Sequence, residues 1–394
     1  VNIAIIGCGY VAEFYGATLV NHPHLRLVGA FDTNADHLRA FTSRWACRAF
    51  ASQAELLCDA GVELVVNLTN PRSHLAINRA ALDAGKHVYC EKPLAMTTDE
   101  AVALVAQAAA QGLSIAAAPC SVLSETAQTL WKAVRDGAIG QVRLVYANFD
   151  DGMIAPRESP WRWLNESGVP WPAKDEFEVG CTYEHAGYVL TWLTAMFGAA
   201  THLSAFASCQ IPDKGIPVDT MAPDFTVGGL QFSSGVAARV TCGLVAPRDK
   251  SITVIGDAGV LFVGNVRDDA APVMWRHDRR RSVWTSALSG RLAPLHRWLQ
   301  QRVPVPGMDA LLAEKVPLVR QPAGTMRADK PVDFCRGIAE QAEAIAAGRP
   351  ARLSGELGAH IVEMVERLQY PERFEGRPAL RTSCPPMLPM PWAL

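Results

Sequence analysis

Two glycines one residue apart, Gly7-Cys8-Gly9, stand between the apolar run 2–6 and a helical pattern that begins near Ala12. In a strand–turn–helix setting the first glycine permits a tight turn and the second lets a ligand approach the backbone. A small third residue, here Ala12, lets helix and strand pack closely. The helix N-terminus adds unpaired N–H groups and a positive dipole end, so the expected ligand is a pyrophosphate. Gly7, Gly9, Tyr10, Val11 and Ala12 are therefore candidate dinucleotide contacts. Asp32 follows at the end of the next apolar run, some 20 residues on, where a carboxylate accepts from ribose hydroxyls and repels a 2′-phosphate. Thr33 and Asn34 come next, with no arginine, so NAD is expected in preference to NADP. Thr69 and Asn70 end another apolar run and His74 opens the helix after it, which adds all three to the candidate cofactor residues. Further along, a loop carries Trp161, Arg162, Trp163, Trp171, Pro172, Lys174, Asp175 and Glu176. Aromatic faces suit the C–H faces of sugar rings, and Arg or Lys suits phosphate or carboxylate. Trp161, Arg162, Trp163 and Lys174 are the candidate substrate residues.

These residues need a scaffold, and the patterning supplies one. Apolar runs at 2–6, 25–31, 63–68, 87–90 and 114–118 alternate with helical patterns at 12–21, 35–43, 74–84 and 99–111. That alternation predicts an α/β domain over residues 1–120, a doubly wound parallel sheet of Rossmann type. The pattern then changes. A strand is expected at 141–149, a Trp-, Pro- and Gly-rich loop at 150–180 and a helix at 181–197. Apolar segments at 202–209, 225–232, 236–245, 251–255 and 260–263 are separated by turn signals such as Gly256-Asp257-Ala258-Gly259. Residues 121–394 thus read as an α+β domain with a mostly antiparallel sheet, closed by helices at 333–347 and 354–369, with Ser354 as N-cap. Between them, residues 277–330 form a Pro- and Arg-rich arm containing Arg279-Arg280-Arg281.

Composition narrows the classes. The chain has 394 residues, enough for two domains, and a net charge of −2, which gives no basic excess for nucleic acid. No apolar run approaches the ~20 residues of a membrane span, and no signal-peptide pattern opens the sequence, so a cytoplasmic protein is expected. The ten cysteines form no C-x-x-C pair, which argues against zinc or dithiol redox chemistry, and no metal is expected.

Two further stretches extend the reading. One runs Asn67-Leu68-Thr69-Asn70-Pro71-Arg72-Ser73-His74 and on to Glu91-Lys92-Pro93-Leu94; the other is Gly180-Cys181-Thr182-Tyr183-Glu184-His185-Ala186-Gly187-Tyr188, closing in Met196-Phe197-Gly198. With the glycine turn they resemble the glucose–fructose oxidoreductase / inositol dehydrogenase / MocA family over nearly the whole chain. The resemblance implies an open, mostly antiparallel second sheet and an active site between the domains. It also implies a homodimer or homotetramer and a sugar, polyol or nucleotide-linked sugar as substrate of an NAD(H)-dependent dehydrogenase or ketoreductase. Glu91 and Lys92 are its most specific marks, Glu91 as a cofactor residue and Lys92 as both cofactor and catalytic residue. Independently, loss of a hydride from a hydroxyl-bearing carbon requires a proton acceptor, and burial beside a positive nicotinamide would lower the Lys92 pKa toward that use. The family's usual Asp and His, four residues apart, fall here on Glu184 and Tyr188, which share one helix face. Tyr188 could serve as acid or base if Lys92 lowers its pKa. His185 is a third candidate, about 100° round the helix from Glu184. Which of the four transfers the proton stays open. Two other activities fit the same motifs: a glycosidase of the family that recycles its NAD, and a non-catalytic NAD-binding sensor.

Overall fold

A computed structural model describes residues 1–277, 313–321 and 330–394, together with 291, 294, 295 and 298. Most of the expected 277–330 arm, with Arg279, Arg280 and Arg281, lies outside the described residues.

The N-terminal sheet has six parallel strands: β1 (Asn2–Ile6), β2 (Arg26–Phe31), β3 (Arg48–Ala49), β4 (Leu64–Asn67), β5 (His87–Cys90) and β6 (Ile115–Ala117), in the order β3-β2-β1-β4-β5-β6. The central strands are apolar on both faces because helices cover both. Leu64, Val65 and Val66 have no exposed surface at all, which is why they read as continuous runs and not as alternation. The helices are α1 (Ala12–Leu19), α2 (Ala35–Trp45), α3 (Gln53–Cys58), α4 (His74–Asp83) and α5 (Thr98–Ala110). Their starts are specified locally. Asn34 caps α2 by accepting from Asp36 and His37, Ser52 caps α3, and Thr97 with Glu100 forms a capping box on α5. Strand order reverses between β1 and β4, so a crevice opens beyond their carboxyl ends, where Gly7 and Thr69 stand.

The second domain contains α6 (Glu125–Arg135), β7 (Val142–Asp150), the short helices α7 (Ile154–Glu158) and α8 (Ala173–Val179), a π-helical turn Thr182–Ala186, and α9 (Gly187–Phe197). Strands β8 (Ala200–Ser208), β9 (Phe225–Phe232), β10 (Ala237–Gly243), β11 (Ile252–Gly256), β12 (Gly259–Val263), β13 (Val273–His277) and β14 (Glu314–Val316) follow. With β7 they form an eight-stranded sheet, β14-β13-β12-β11-β7-β10-β9-β8, antiparallel throughout except for the β7–β10 pair. The Gly256–Gly259 segment is the expected hairpin turn. Helix α9 is apolar nearly all round and lies in the core; its fully buried Trp192 donates to the Ser121 hydroxyl at 2.9 Å.

The last two helices, α10 (Arg336–Ala346) and α11 (Gly355–Gln369, capped by Ser354), return to the first domain. Gln341 donates to the carbonyl of Val88 at 2.9 Å, and Ala117 N–H donates to Leu353 at 3.2 Å. Ala359 and Val362 join the same apolar cluster as Ala4, Val65 and Val88. The last two helices of the chain thus pack on the first sheet, across the boundary expected at residue 120. No helix among the described residues is long and apolar enough to cross a membrane.

Candidate active site

The crevice at the strand reversal continues into a cleft between the two domains, a cavity of about 480 Å³. The glycine turn forms one wall. Gly7 has φ +97°, and a Cβ on it would lie 2.7 Å from the backbone of Leu68 and Thr69, so the close approach is to β4 as much as to any ligand. A Cβ on Gly9 would meet nothing within 4 Å. That leaves an open cradle beside the N-terminus of α1, which fits a pyrophosphate. Asp32 borders the same cavity. Its carboxylate accepts from Cys8 N–H at 2.6 Å and Asn34 N–H at 2.7 Å, so it clamps the glycine turn at the edge of the cavity. Thr69 and Asn70 also border it. Buried Asn67 shapes their turn by accepting from the Thr69 hydroxyl at 2.7 Å, while Asn70 caps the short turn Pro71–Ser73.

Glu91 and Lys92 follow β5 into the cleft. Glu91 is buried and accepts from Tyr15 at 2.7 Å and from Lys92 N–H at 2.9 Å. The Lys92 ammonium is ion-paired with Glu184 from the opposite domain. Burial works against that charge, but Glu184 and then Glu91 outweigh it and hold the Lys92 pKa well above its ordinary value. In the protein alone, therefore, the two carboxylates outweigh the depression that burial was expected to bring.

Glu184, His185 and Tyr188 all border the cavity. The expectation that His185 points away from Glu184 assumed α-helical steps. In the structure the segment Thr182–Ala186 is a π-helical turn, and both residues border the cavity. Phe149 is the platform beneath both rings, 5.0 Å from His185 and 5.1 Å from Tyr188. Asp151 and Glu176 flank the His185 imidazole at 3.5 Å on either side. Burial, with the nearby Lys92, Lys250 and Arg267 charges, pushes the His185 pKa down to about 3 despite Asp151. Burial and the neighbouring Glu184 push Glu176 well up. His185 is therefore a neutral ring at neutral pH, and its neighbour Glu176 is biased toward its protonated form. Burial also raises the Tyr188 pKa, against the lowering influence of Arg267 and Lys92. Burial thus outweighs the lowering by Lys92 on which a role for Tyr188 as acid or base was premised.

Several expected residues lie elsewhere. Ala12 is fully buried behind the turn, where its small size serves packing. Buried His74 joins two loops, its ring nitrogens 2.6 Å from the Pro93 carbonyl and 3.0 Å from that of Thr69, and it does not border the cavity. Trp161 packs over Gly215, Trp163 packs against Trp171, Arg162 is exposed, and Lys174 pairs at the surface with Asp219. From that loop the residues reaching the cavity are Trp171, Pro172, Asp175 and Glu176, with Val169 and Pro170. Sequence reasoning missed Asp151 and Arg267. Neither sits in a motif; only the folded second domain brings Asp151 beside His185 and Arg267 to the cavity.

Fold and cleft together define a dinucleotide-binding oxidoreductase of two domains, with a cleft lined from both. The chain belongs to the GFO/IDH/MocA oxidoreductase family: residues 1–118 match its NAD-binding Rossmann domain and residues 127–262 its C-terminal domain. A mouse relative, trans-1,2-dihydrobenzene-1,2-diol dehydrogenase, is 26% identical over 65% of this chain and 72% of its own. Among solved structures, the aldose-aldose oxidoreductase of Caulobacter crescentus, complexed with glycerol, superposes with a TM-score of 0.71 at 18% identity over 95% of this chain and 97% of that one. UDP-N-acetylglucosamine 3-dehydrogenase of Acidithiobacillus ferrooxidans does so with 0.66 at 19% identity over 93% and 96%.

Proposed function

We propose that the chain transfers a hydride between NAD(H) and a hydroxyl- or keto-bearing carbon of a sugar, polyol or nucleotide-linked sugar. The observation that carries this reading is the Lys92–Glu184 ion pair spanning the cleft opposite the glycine turn. Gly7, Gly9 and the N-terminus of α1 would hold the pyrophosphate. Asp32 would hold the adenosine ribose, which favours NAD over NADP. A nicotinamide bound there supplies the hydride acceptor or donor. The chain itself handles the proton. Lys92 Nζ donates a hydrogen bond to the reacting oxygen and opposes the negative charge that builds on it. As the hydroxyl proton moves to Nζ, Nζ passes one of its own to Glu184, so Lys92 ends the step as an ammonium and the carboxylate holds the proton. The reduction runs the same relay backward. Tyr188 and neutral His185 orient the substrate.

The test is formation of NADH at 340 nm across a panel of sugars, polyols and nucleotide sugars. Lys92→Ala should lower the rate by about 10²–10⁴-fold while NADH affinity stays within about twofold. Lys92→Arg should rescue poorly, because a guanidinium keeps its charge but cannot hand on a proton. Asp32→Ala should weaken NAD and narrow its preference over NADP. Tight NADH binding without turnover on any compound would point to a sensor.

A further inference from the structure

The cations near the cleft are accounted for by carboxylates with one exception. Lys92 pairs with Glu184, Lys250 with Asp151, Lys330 with Glu166 and Arg72 with Glu178. Arg267, part-buried just beyond β12, has no ion pair among the described residues. Its guanidinium rests 5.0 Å from the ring centroid of Tyr188, on the helix that follows Glu184. It also borders two cavities at once: the main cleft, and an annexe of about 210 Å³ whose wall includes Phe14, Phe334, Lys250 and Lys330 but no acidic residue. An arginine stays charged under all ordinary conditions; Asp151 and Glu91 favour this charge from beyond ion-pairing distance, and no described carboxylate engages the guanidinium directly. The planar fork suits the two oxygens of a carboxylate or phosphate.

We propose that Arg267 anchors an anionic group of the substrate, held at the mouth of this annexe while the reacting carbon lies at Lys92. The inference rests on the oxidoreductase reading of the cleft and narrows its substrate class to acidic sugars, sugar phosphates or nucleotide sugars. The cofactor's own pyrophosphate is a poorer candidate. It has its cradle at Gly9, and although Tyr10 of that turn lies near Arg267, the guanidinium is held by Tyr188 from the substrate domain.

Binding to the full chain, saturated with NADH, tests this by calorimetry with four probes: sorbitol, gluconate, glucose 6-phosphate and UDP-glucose. At least one anionic probe should bind more tightly than sorbitol, and its affinity should fall with added salt. Which probe binds separates a carboxylate source from a phosphate or diphosphate source. Arg267→Met should weaken that probe by roughly 10- to 100-fold, the loss expected for charge-assisted hydrogen bonds, with Arg267→Lys intermediate and NADH affinity unchanged. Equal binding of charged and uncharged probes to the unmodified protein would overturn the proposal without need of a variant. So would an Arg267→Met protein that loses NADH and keeps the probe. Failure of the unmodified protein to bind NADH would instead sink the underlying oxidoreductase reading.

Discussion

Replacing Glu184 by Gln should convert Lys92 from a locked ammonium into a titrating amine. Gln keeps the shape of Glu and removes one charge from a contact whose side chains are only 17% and 11% exposed. At about 4 Å and an effective dielectric near 20, such a pair is worth about 4 kcal/mol, roughly three decades in a proton equilibrium. Burial then acts on Lys92 with Glu91 as its main remaining opponent. The pH at which Lys92 becomes reactive should therefore fall by roughly two to three pH units. The measurement needs no substrate: reductive methylation across a pH series, read peptide by peptide by mass spectrometry, with surface lysines as internal controls. In the unmodified protein Lys92 should lag behind those controls, and in Glu184→Gln most of that lag should disappear. The linkage has a definite sign. A lysine whose pKa is raised on folding adds stability below about pH 10.4 that disappears only as pH climbs through the folded value, so the variant should be less stable throughout the neutral range. An unchanged lag of Lys92 behind the controls would show that the ion pair does not control Lys92, and the relay would lose its basis.

The two glycines of the turn should fail in different ways. Gly7→Ala forces a Cβ to within 2.7 Å of the β4 backbone at positive φ, so it should destabilise the protein by roughly 1–3 kcal/mol from the backbone conformation alone, read as a lower urea midpoint. Gly9→Ala meets no protein atom and should leave that midpoint unchanged while weakening NADH; the reverse pattern would remove Gly9 from the cradle. His360 gives a pH test away from the cleft. It is buried, accepts from Ala200 N–H at 2.9 Å, and has its pKa pushed down by burial to about 4. Between pH 6.5 and 4 the unfolded chain takes up a proton that the folded chain refuses, so its contribution to stability falls by about 3 kcal/mol as pH drops. The stability gap between the unmodified protein and His360→Gln should shrink over that window in urea titrations; a constant gap would refute it.

The first domain was readable because its signals are periodic and local. Buried strands, caps at Asn34 and Thr97, and Gly7-Cys8-Gly9 are each specified within a few residues. Helix α6 left no such trace. Its buried Thr126 is satisfied by the carbonyls of Asp268 and Ala271, at 3.1 and 3.0 Å, and Glu125 by Arg320. Polar residues with distant partners look like surface in a sequence. The cleft split in the same way. Lys92 and Glu184 stand in recognisable strings, but His185 lies in a π-helical turn that no pattern announced. Side chains in the 150–180 loop obey no period, so Trp161 and Lys174 could not be told from Trp171 and Glu176 in advance.

The return of the last helices to the first sheet has a consequence for synthesis. The carbonyl of Val88 waits for Gln341, 253 positions later in the chain. At typical translation rates that is about 13–50 s during which an emerging nucleotide-binding half presents an uncovered apolar face. The nascent chain must be shielded over this interval, and a fragment ending at residue 120 would keep that face bare for its whole lifetime.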